Sequence, residues 1–238
     1  MLRHSLLSLC FILMLLPVAA QRIVVSQPVV LEKSHRTIRV DSVVTTGSST
    51  SFYLRILNER THGGWFCLSE EIELYSNETY LSRASSIKGI PICPEAHRFT
   101  HVGEEVAFQV VFPPIEKGIQ VVSILEVCNE ACMSLKGIVL DKRFNRKAHL
   151  FDKALGCYQQ GDYLRCIKGF ERVLAPPLPL KETTSVYAFA YYYIISGYLR
   201  SGQREEGLVW YYRLQSSELD NKVEIMRRLQ QEFVLPDE

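Results

Sequence analysis

The stretch LFDKALGCYQQGDYLRCIKGFERVL, residues 150–174, predicts two helices joined by a tight turn and divides the chain into two unlike halves. Leu150, Ala154 and Cys157 lie four and three positions apart, so they share one face of the first helix. Gly161 can adopt the left-handed backbone conformation that ends such a helix. The pattern therefore predicts a helical hairpin with its turn at this glycine.

The second helix of this hairpin is predicted to begin after Asp162, whose side chain can cap it, and to end at a proline-rich segment. Its inner face is expected to consist of Cys166, Phe170 and Val173, because these residues follow helical spacing. The small side chains of Ala154 and Cys166 would let the two helices approach each other closely.

The hairpin pattern recurs downstream in the chain. The turn glycine Gly161 corresponds to Gly202, which lies 41 positions later, and every offset within the hairpin is shared. The matched positions are 150 and 191, 154 and 195, 157 and 198, 166 and 207, 170 and 211, and 173 and 214. Self-similarity at a fixed period is typical of repeat proteins.

This repeat resembles the tetratricopeptide repeat, a hairpin with a period of about 34 residues and the pattern W-x2-L-G-x2-Y, A-x3-F and P. Lys153 stands where leucine is usual, Ile195 where a small residue is usual and Cys166 where alanine is usual, while residues 176–183 lengthen the spacing. The resemblance implies tetratricopeptide-like hairpins over residues 148–238. It also implies a binding scaffold whose concave groove holds a peptide or a partner helix, without catalytic residues. An ordinary helical bundle is the alternative.

A last amphipathic helix is predicted after Asn221, with Val223, Met226, Leu229 and Phe233 on one face. This helix would cover the open end of the second repeat. Two repeats and one helix are fewer than the three repeats that stability normally requires. We therefore expect the helical part to pack against the preceding domain or against a second copy of the chain.

The preceding part, residues 21–147, shows a period of two. In one segment, for example, Phe52, Leu54 and Ile56 alternate with Tyr53 and Arg55. Such alternation predicts half-buried antiparallel strands, and many short strands separated by turns predict an immunoglobulin-like β-sandwich. The chain is thus predicted to be an α+β protein of two domains. The basic segment 143–149 is interpreted as their boundary, with the first turn of the repeat helix as the alternative.

The order of motifs in this first domain is similar to that of a sandwich domain found in exported bacterial proteins of unassigned activity. The motifs are Gly64-Trp65, the segment PEAHRF at residues 94–99, Gly103-Glu-Glu and GIVL at residues 137–140. The resemblance implies the fold and carries no activity with it.

Residues 1–20 are predicted to form a secretory signal peptide. Arg3 and His4 precede an apolar run over residues 6–18, and small residues then favour cleavage before Gln21. The run is shorter than the ~20 residues that a membrane-spanning helix needs, so a retained anchor is the minor alternative. The mature protein is expected to be exported to the periplasm, the cell surface or the medium, without a stable membrane span.

The chain has 27 Lys and Arg residues against 26 Asp and Glu residues, so its net charge favours neither nucleic acid nor a membrane surface as a partner. The chain has seven cysteines, and Cys10 lies in the predicted signal peptide, so six remain after cleavage. An even number of cysteines in an exported chain predicts disulfides. Pairing of near neighbours gives Cys67 with Cys93, Cys128 with Cys132, and Cys157 with Cys166. Buried free thiols are the alternative for each pair.

Catalytic motifs are not recognisable in the sequence. His97 and His101 have the i, i+4 spacing of a metal site, but they lie in a strand-rich region rather than on a helix. No serine lies on a glycine-flanked elbow, and no glycine-rich phosphate loop occurs. We therefore predict no enzyme activity, no metal and no cofactor.

The leading hypothesis is an exported, non-catalytic protein-interaction or assembly scaffold. Its partner would be a protein or peptide of the cell envelope, or a second copy of the chain, bound by Tyr191, Tyr192 and Arg204 in the helical groove. One alternative is a thiol-redox protein that uses Cys128 and Cys132. Another is a glycan-binding sandwich that uses Trp65 and nearby tyrosines.

Overall fold

The computed structural model describes residues 22–129, 131–176 and 184–236, so the predicted signal peptide lies outside the described residues. Strands precede helices along the chain, which gives the mixed α+β class expected from the sequence. The strands are β1 (Ile23–Ser26), β2 (Val30–Lys33), β3 (Ile38–Thr45), β4 (Thr50–Leu57), β5 (Trp65–Phe66), β6 (Ile72–Ser76), β7 (Thr79–Arg83), β8 (Ser86–Lys88), β9 (His97–Arg98), β10 (Glu105–Phe112), β11 (Val121–Glu126) and β12 (Ser134–Val139).

The strands form three antiparallel sheets. The first has the order β1-β3-β4-β10-β8, the second has the order β2-β12-β11-β6-β7, and β5 pairs with β9 alone. In β4 the predicted alternation is confirmed, because Phe52, Leu54 and Ile56 are buried while Tyr53 is exposed. The two larger sheets therefore each present one apolar face.

Both five-stranded sheets contribute to a single hydrophobic core. Phe52 and Phe112 of the first sheet are fully buried and meet edge to face, with ring centroids 5.6 Å apart. Leu74 and Ile124 of the second sheet belong to the same cluster. Because this core is shared, the loops at one end of the two sheets are held in fixed positions relative to each other.

The helices are α1 (Lys142–Gln159), α2 (Tyr163–Leu174), α3 (Thr184–Arg200), α4 (Arg204–Gln215) and α5 (Lys222–Glu232). Asp141 caps α1, because its Oδ1 accepts hydrogen bonds from the backbone N–H groups of Arg143 at 2.7 Å and Phe144 at 3.1 Å. The segment 143–149, interpreted from the sequence as a domain boundary, is thus the beginning of α1. The alternative interpretation is the one that the structure supports.

The helices α1 and α2 approach closely at Ala154, as predicted, but the small residue opposite it is Gly169 rather than Cys166. A Cβ atom added at Gly169 would lie 2.7 Å from the Cβ of Ala154, so this position has room only for glycine. The turn glycines Gly161 and Gly202 both have a φ of +79°, the left-handed conformation expected for them. Lys147 Nζ joins α1 to the end of α2 by donating hydrogen bonds to carbonyl groups there, among them those of Arg172 and Val173.

The last helix, α5, contacts α3 and α4 and buries Ile225, Met226 and Leu229. The predicted inner face of this helix is therefore partly wrong, because Val223 is 63% exposed and Ile225 takes its place. No helix in the described ranges is both long enough and apolar enough to cross a bilayer.

A small polar junction joins the strands to the helices. The amide of Asn145, on α1, is 3% exposed. Its Oδ1 accepts from the N–H of Val29 at 2.7 Å, and its Nδ2 donates to the carbonyl of Val139 at 2.8 Å. One turn further on, His149 Nε2 donates to the carbonyl of Gln27 at 2.8 Å. These bonds fix α1 beside the segment that follows β1.

Candidate functional site

The structure corrects the expectation that Tyr192 faces an open groove. Its side chain is 5% exposed, and its hydroxyl donates to Glu232 Oε1 of α5 at 2.6 Å. The guanidinium of Arg228, also on α5, lies 4.8 Å from the centre of its ring. Burial, followed by the hydrogen bond to the Glu232 carboxylate, raises the pKa of Tyr192 to about 12. The C-terminal helix therefore covers this tyrosine.

The other two predicted groove residues also have intramolecular partners. Tyr191 is half-buried and meets Trp210 edge to face, with ring centroids 5.7 Å apart. Arg204 Nη2 donates to the carbonyl of Val234 at 2.8 Å, in the segment after α5. Each of these two residues, like Tyr192, is engaged with its own chain. The structure thus does not bring the three together as a free binding surface.

Two of the three predicted disulfides are present, and the third is not. Cys67 is bonded to Cys93 and Cys128 to Cys132, whereas Cys157 and Cys166 are free thiols. The prediction of a Cys157–Cys166 disulfide is therefore wrong in this structure.

The absence of the third disulfide has a local cause. Cys166 is 0% exposed, and its Sγ donates to the carbonyl of Tyr163 at 3.0 Å. The same sulfur lies 3.5 Å from the Cβ position of Gly197, so it faces α3. Burial raises the pKa of the Cys166 thiol to about 11, which disfavours its thiolate, the nucleophilic form.

Both disulfides lie in the wall of one cleft, at the end of the two large sheets. The cleft has a volume of about 1070 Å³. Loops from both sheets line it, with His35, Asn58, Trp65, Cys67, Cys93 and Cys128 among its lining residues. We call this feature the Trp65 cleft.

Trp65 is a large aromatic residue of this cleft that remains 58% exposed. The pairing of Trp65 with Arg98 in the short β5–β9 sheet fixes its backbone. The preceding Gly64 is needed there, because a Cβ atom at this position would lie 2.5 Å from Asn58 Oδ1. An exposed indole on a fixed backbone is a rigid platform for a ligand.

Asn58 holds the loops behind this tryptophan. Its Oδ1 accepts from the N–H of Arg60 at 3.1 Å, and its Nδ2 donates to the carbonyl of His101 at 2.7 Å. The side chain is 6% exposed and has partners for both ends of its amide. Asn58 therefore joins the loop after β4 to the loop before β10.

Glu126 joins the two disulfide-bonded loops to each other. Its Oε1 accepts from the N–H of Ser69, two residues after Cys67, and its Oε2 accepts from the N–H of Met133 at 2.6 Å, directly after Cys132. A carboxylate that bridges two backbone N–H groups orders both segments. The cleft is thus preformed by covalent and hydrogen-bonded connections.

A second carboxylate, Glu104, orders the loop that follows β9. Its Oε2 accepts from the N–H and the hydroxyl of Thr100 at 2.6 and 2.7 Å, and its Oε1 lies 2.8 Å from His97 Nε2. The hydrogen bonds from Thr100, with that from His97, lower the pKa of Glu104 from 4.5 to about 2.

We predict an acid-sensitive stabilisation from Glu104. Because its pKa is lower in the folded state, its contribution is present above pH 4.5 and is lost as the pH falls towards 2. The melting temperature of the wild type should therefore exceed that of Glu104→Gln at pH 7. This difference in melting temperature should become smaller between pH 5 and pH 3. A gap that is constant over this range would contradict the assignment.

The charges around the cleft are mixed. Arg36 forms an exposed ion pair with Glu59, with 2.8 Å between Nη2 and Oε2, whereas Arg60 and Glu70 have no ion-pair partner among the described residues. In residues 22–129, 131–176 and 184–236, no group of three or more His, Cys, Asp or Glu side chains is placed to hold a metal ion. The arrangement suits recognition through an aromatic platform with polar groups at its edge.

Sequence reasoning identified Trp65 and the two disulfides separately but not their common cleft. Asn58 and Glu126, which hold the loops together, were missed, because a single Asn or Glu in a strand-rich region gives no signal of its partners. The chain matches no protein-family model, no curated protein and no solved structure.

Proposed function

We propose that the chain is an exported, non-catalytic protein-interaction or assembly scaffold whose partner binds in the Trp65 cleft. The observation that carries the proposal is the 58% exposed Trp65 in a cleft of about 1070 Å³ with two disulfides in its wall. Exposed tryptophan in a preformed cleft contributes strongly to binding, because the rigid indole loses little conformational entropy. The expected partner is a protein or peptide of the cell envelope.

The architecture supports this proposal. We interpret the two large sheets, which share one core, as an immunoglobulin-like sandwich. We interpret the helices as tetratricopeptide-like hairpins, because consecutive helices contact each other and α1 also contacts α3, as α3 contacts α5. Both architectures are scaffolds on which loops or grooves bind partners.

The cysteines support the proposed location. Two disulfides fit an oxidising compartment, and the predicted signal sequence is in accord with export to the periplasm, the cell surface or the medium.

The test is the loss of the partner when the indole is removed. We expect Trp65→Ala to weaken partner binding by about tenfold or more. The measurement is crosslinking in the native cell envelope, followed by mass spectrometry and titration of the captured partner. Tyr80→Ala is the matched control, because Tyr80 is 51% exposed and lies outside the cleft. Equal capture by both variants would contradict the proposal.

A glycan ligand is the second candidate, and the same tryptophan favours it. Exposed indoles can stack on the apolar faces of sugars, and Arg60 and Glu70 supply polar groups at the edge of the cleft. In a Trp210→Phe background, Trp65 is the only tryptophan, so its fluorescence reports on the cleft. A saturable fluorescence response of Trp65 to oligosaccharides that is unchanged by Tyr80→Ala, outside the cleft, would favour the glycan. A response to the captured protein alone would favour the scaffold.

A further inference from the structure

The first helix, α1, carries a row of basic side chains that lies outside the Trp65 cleft. Lys142, Arg146 and Lys153 lie four and seven positions apart, so they share one face of α1, and all three are exposed. None of them forms an ion pair with any described residue. The neighbouring Lys147 is different, because it is bonded to carbonyl groups of α2. We call the three cations the basic stripe.

The basic stripe forms one wall of a groove against β1. This groove has a volume of about 470 Å³, and its other lining residues include Val24, Val25, Ser26 and Leu150. Among the residues that the structure describes, no Asp or Glu lines this groove. An apolar floor beside unpaired cations is complementary to an elongated ligand that carries negative charge.

The strand in this groove has an unpaired edge. Within the described part of the chain, β1 is the outermost strand of its sheet and pairs only with β3. The N–H of Gln27 donates to the carbonyl of Asp41 towards β3 at 2.8 Å. Because hydrogen-bonding groups alternate along an antiparallel strand, the backbone groups of Val24 and Ser26 point away from β3. They are available to an added strand.

The lengths of the two walls match. Lys142 and Lys153 are separated by about 16 Å along the helix axis, at about 1.5 Å per residue. Five residues of a strand span about 14 Å, and alternate side chains point to the same side. Three carboxylates at alternating positions of a strand therefore come within reach of three long, flexible basic side chains.

We propose that an extended acidic peptide segment of a partner adds to the free edge of β1 and pairs its alternating carboxylates with the basic stripe of α1. Backbone pairing supplies affinity, as in other strand additions, and the alternating charge supplies selectivity. This site is separate from the Trp65 cleft, so it stands or falls independently of the function proposed above. An anionic lipid surface, which would use the charges without the strand edge, is the competing source of negative charge.

The test uses a fluorescently labelled octapeptide that alternates glutamate with threonine, titrated with the full chain and followed by anisotropy. We expect saturable binding that weakens as salt increases. An isomeric peptide with its four glutamates in one block is expected to bind more weakly. Failure of the alternating peptide to bind, or equal binding of the two peptides, would overturn the proposal.

Two matched double variants test the basic stripe. Lys142→Glu/Lys153→Glu is expected to lower the affinity for the alternating peptide by about tenfold. Lys168→Glu/Arg227→Glu changes the net charge equally at exposed positions of α2 and α5 and should leave the affinity within about twofold. If both double variants lost the same affinity for the alternating peptide, net charge alone would explain the effect and the proposed site would be wrong.

A proline variant in β1 distinguishes strand addition by a peptide from binding to a lipid surface. Ser26→Pro removes an outward N–H at an exposed edge position, where proline is tolerated. We expect it to weaken the peptide without altering the circular dichroism spectrum. If vesicles rich in phosphatidylglycerol bind through the basic stripe, and Ser26→Pro leaves both the vesicle and the peptide affinity unchanged, the ligand is an anionic surface and strand addition is excluded.

Discussion

Phe170→Ala is expected to destabilise the helical part by about 3–5 kcal/mol, the usual cost of removing a buried phenylalanine ring. Phe170 is fully buried on α2. Its ring stacks on Tyr193 of α3, with centroids 5.0 Å apart, and meets Phe151 of α1 edge to face at 5.1 Å. The alanine variant would leave a cavity where three helices meet, and the aromatic contacts would be lost with it.

The measurement for this prediction is urea unfolding followed by circular dichroism at 222 nm, where helices dominate the signal. Leu164→Ala is the control, because Leu164 lies on the same helix and is 56% exposed. Its cost should be within about 0.5 kcal/mol of zero. A loss below about 1 kcal/mol for Phe170→Ala would show that the hairpins are not held together at this ring.

The burial of Phe170 could be predicted from the sequence, because helical spacing alone places it on the inner face of the first hairpin. Helical spacing placed Ala154, Cys166 and Phe170 inside the first hairpin, and all three are buried. The 41-residue offset placed Tyr211 inside the second hairpin, where it is 1% exposed. Such inferences need only the period of a helix and the position of its turn.

The groove residues could not be predicted, because their exposure depends on a helix that is distant in sequence. The sequence predicts that Tyr191 and Tyr192 line an open groove. Instead α5 returns over α3, so that Tyr192 is buried while Tyr191 and Tyr193 are half-buried. The amphipathic pattern of α5 predicts that this helix covers the end of the second repeat, but it does not indicate that Tyr192 is the residue buried.

The cysteines show the same limit. Pairing by nearness in sequence succeeded for Cys67 and Cys128, whose partners lie across loops. It failed for Cys157 and Cys166, which lie on the two helices of the first hairpin, because the sulfur of Cys166 packs against α3 at Gly197. Sequence distance is a guide to pairing only where the chain between the cysteines can bend freely.

The two disulfides make a quantitative prediction, because they close loops of very different length. The sequence separation is 26 for Cys67–Cys93 and 4 for Cys128–Cys132. If each disulfide stabilises by restricting the unfolded chain, Cys67→Ser/Cys93→Ser should lower the free energy of unfolding by about 3.5 kcal/mol. Cys128→Ser/Cys132→Ser should lower it by about 2 kcal/mol. The order of the two losses follows from loop length alone.

Partner binding should follow the same order, since the longer loop holds one wall of the Trp65 cleft. The loop closed by Cys67 and Cys93 begins directly after β5, so loss of this disulfide leaves the backbone of Trp65 held by the pairing of β5 with β9 without a covalent link beside it. The loop closed by Cys128 and Cys132 is still tied to the Ser69 segment through Glu126.

Urea unfolding under non-reducing conditions gives the stabilities, and capture of the crosslinked partner gives the binding. Equal losses in the two variants would remove the loop-length explanation. If only Cys128→Ser/Cys132→Ser abolished function while stability was kept, the thiol-redox alternative would displace the scaffold, because a scaffold needs the shape of this loop and a redox protein needs its sulfur atoms.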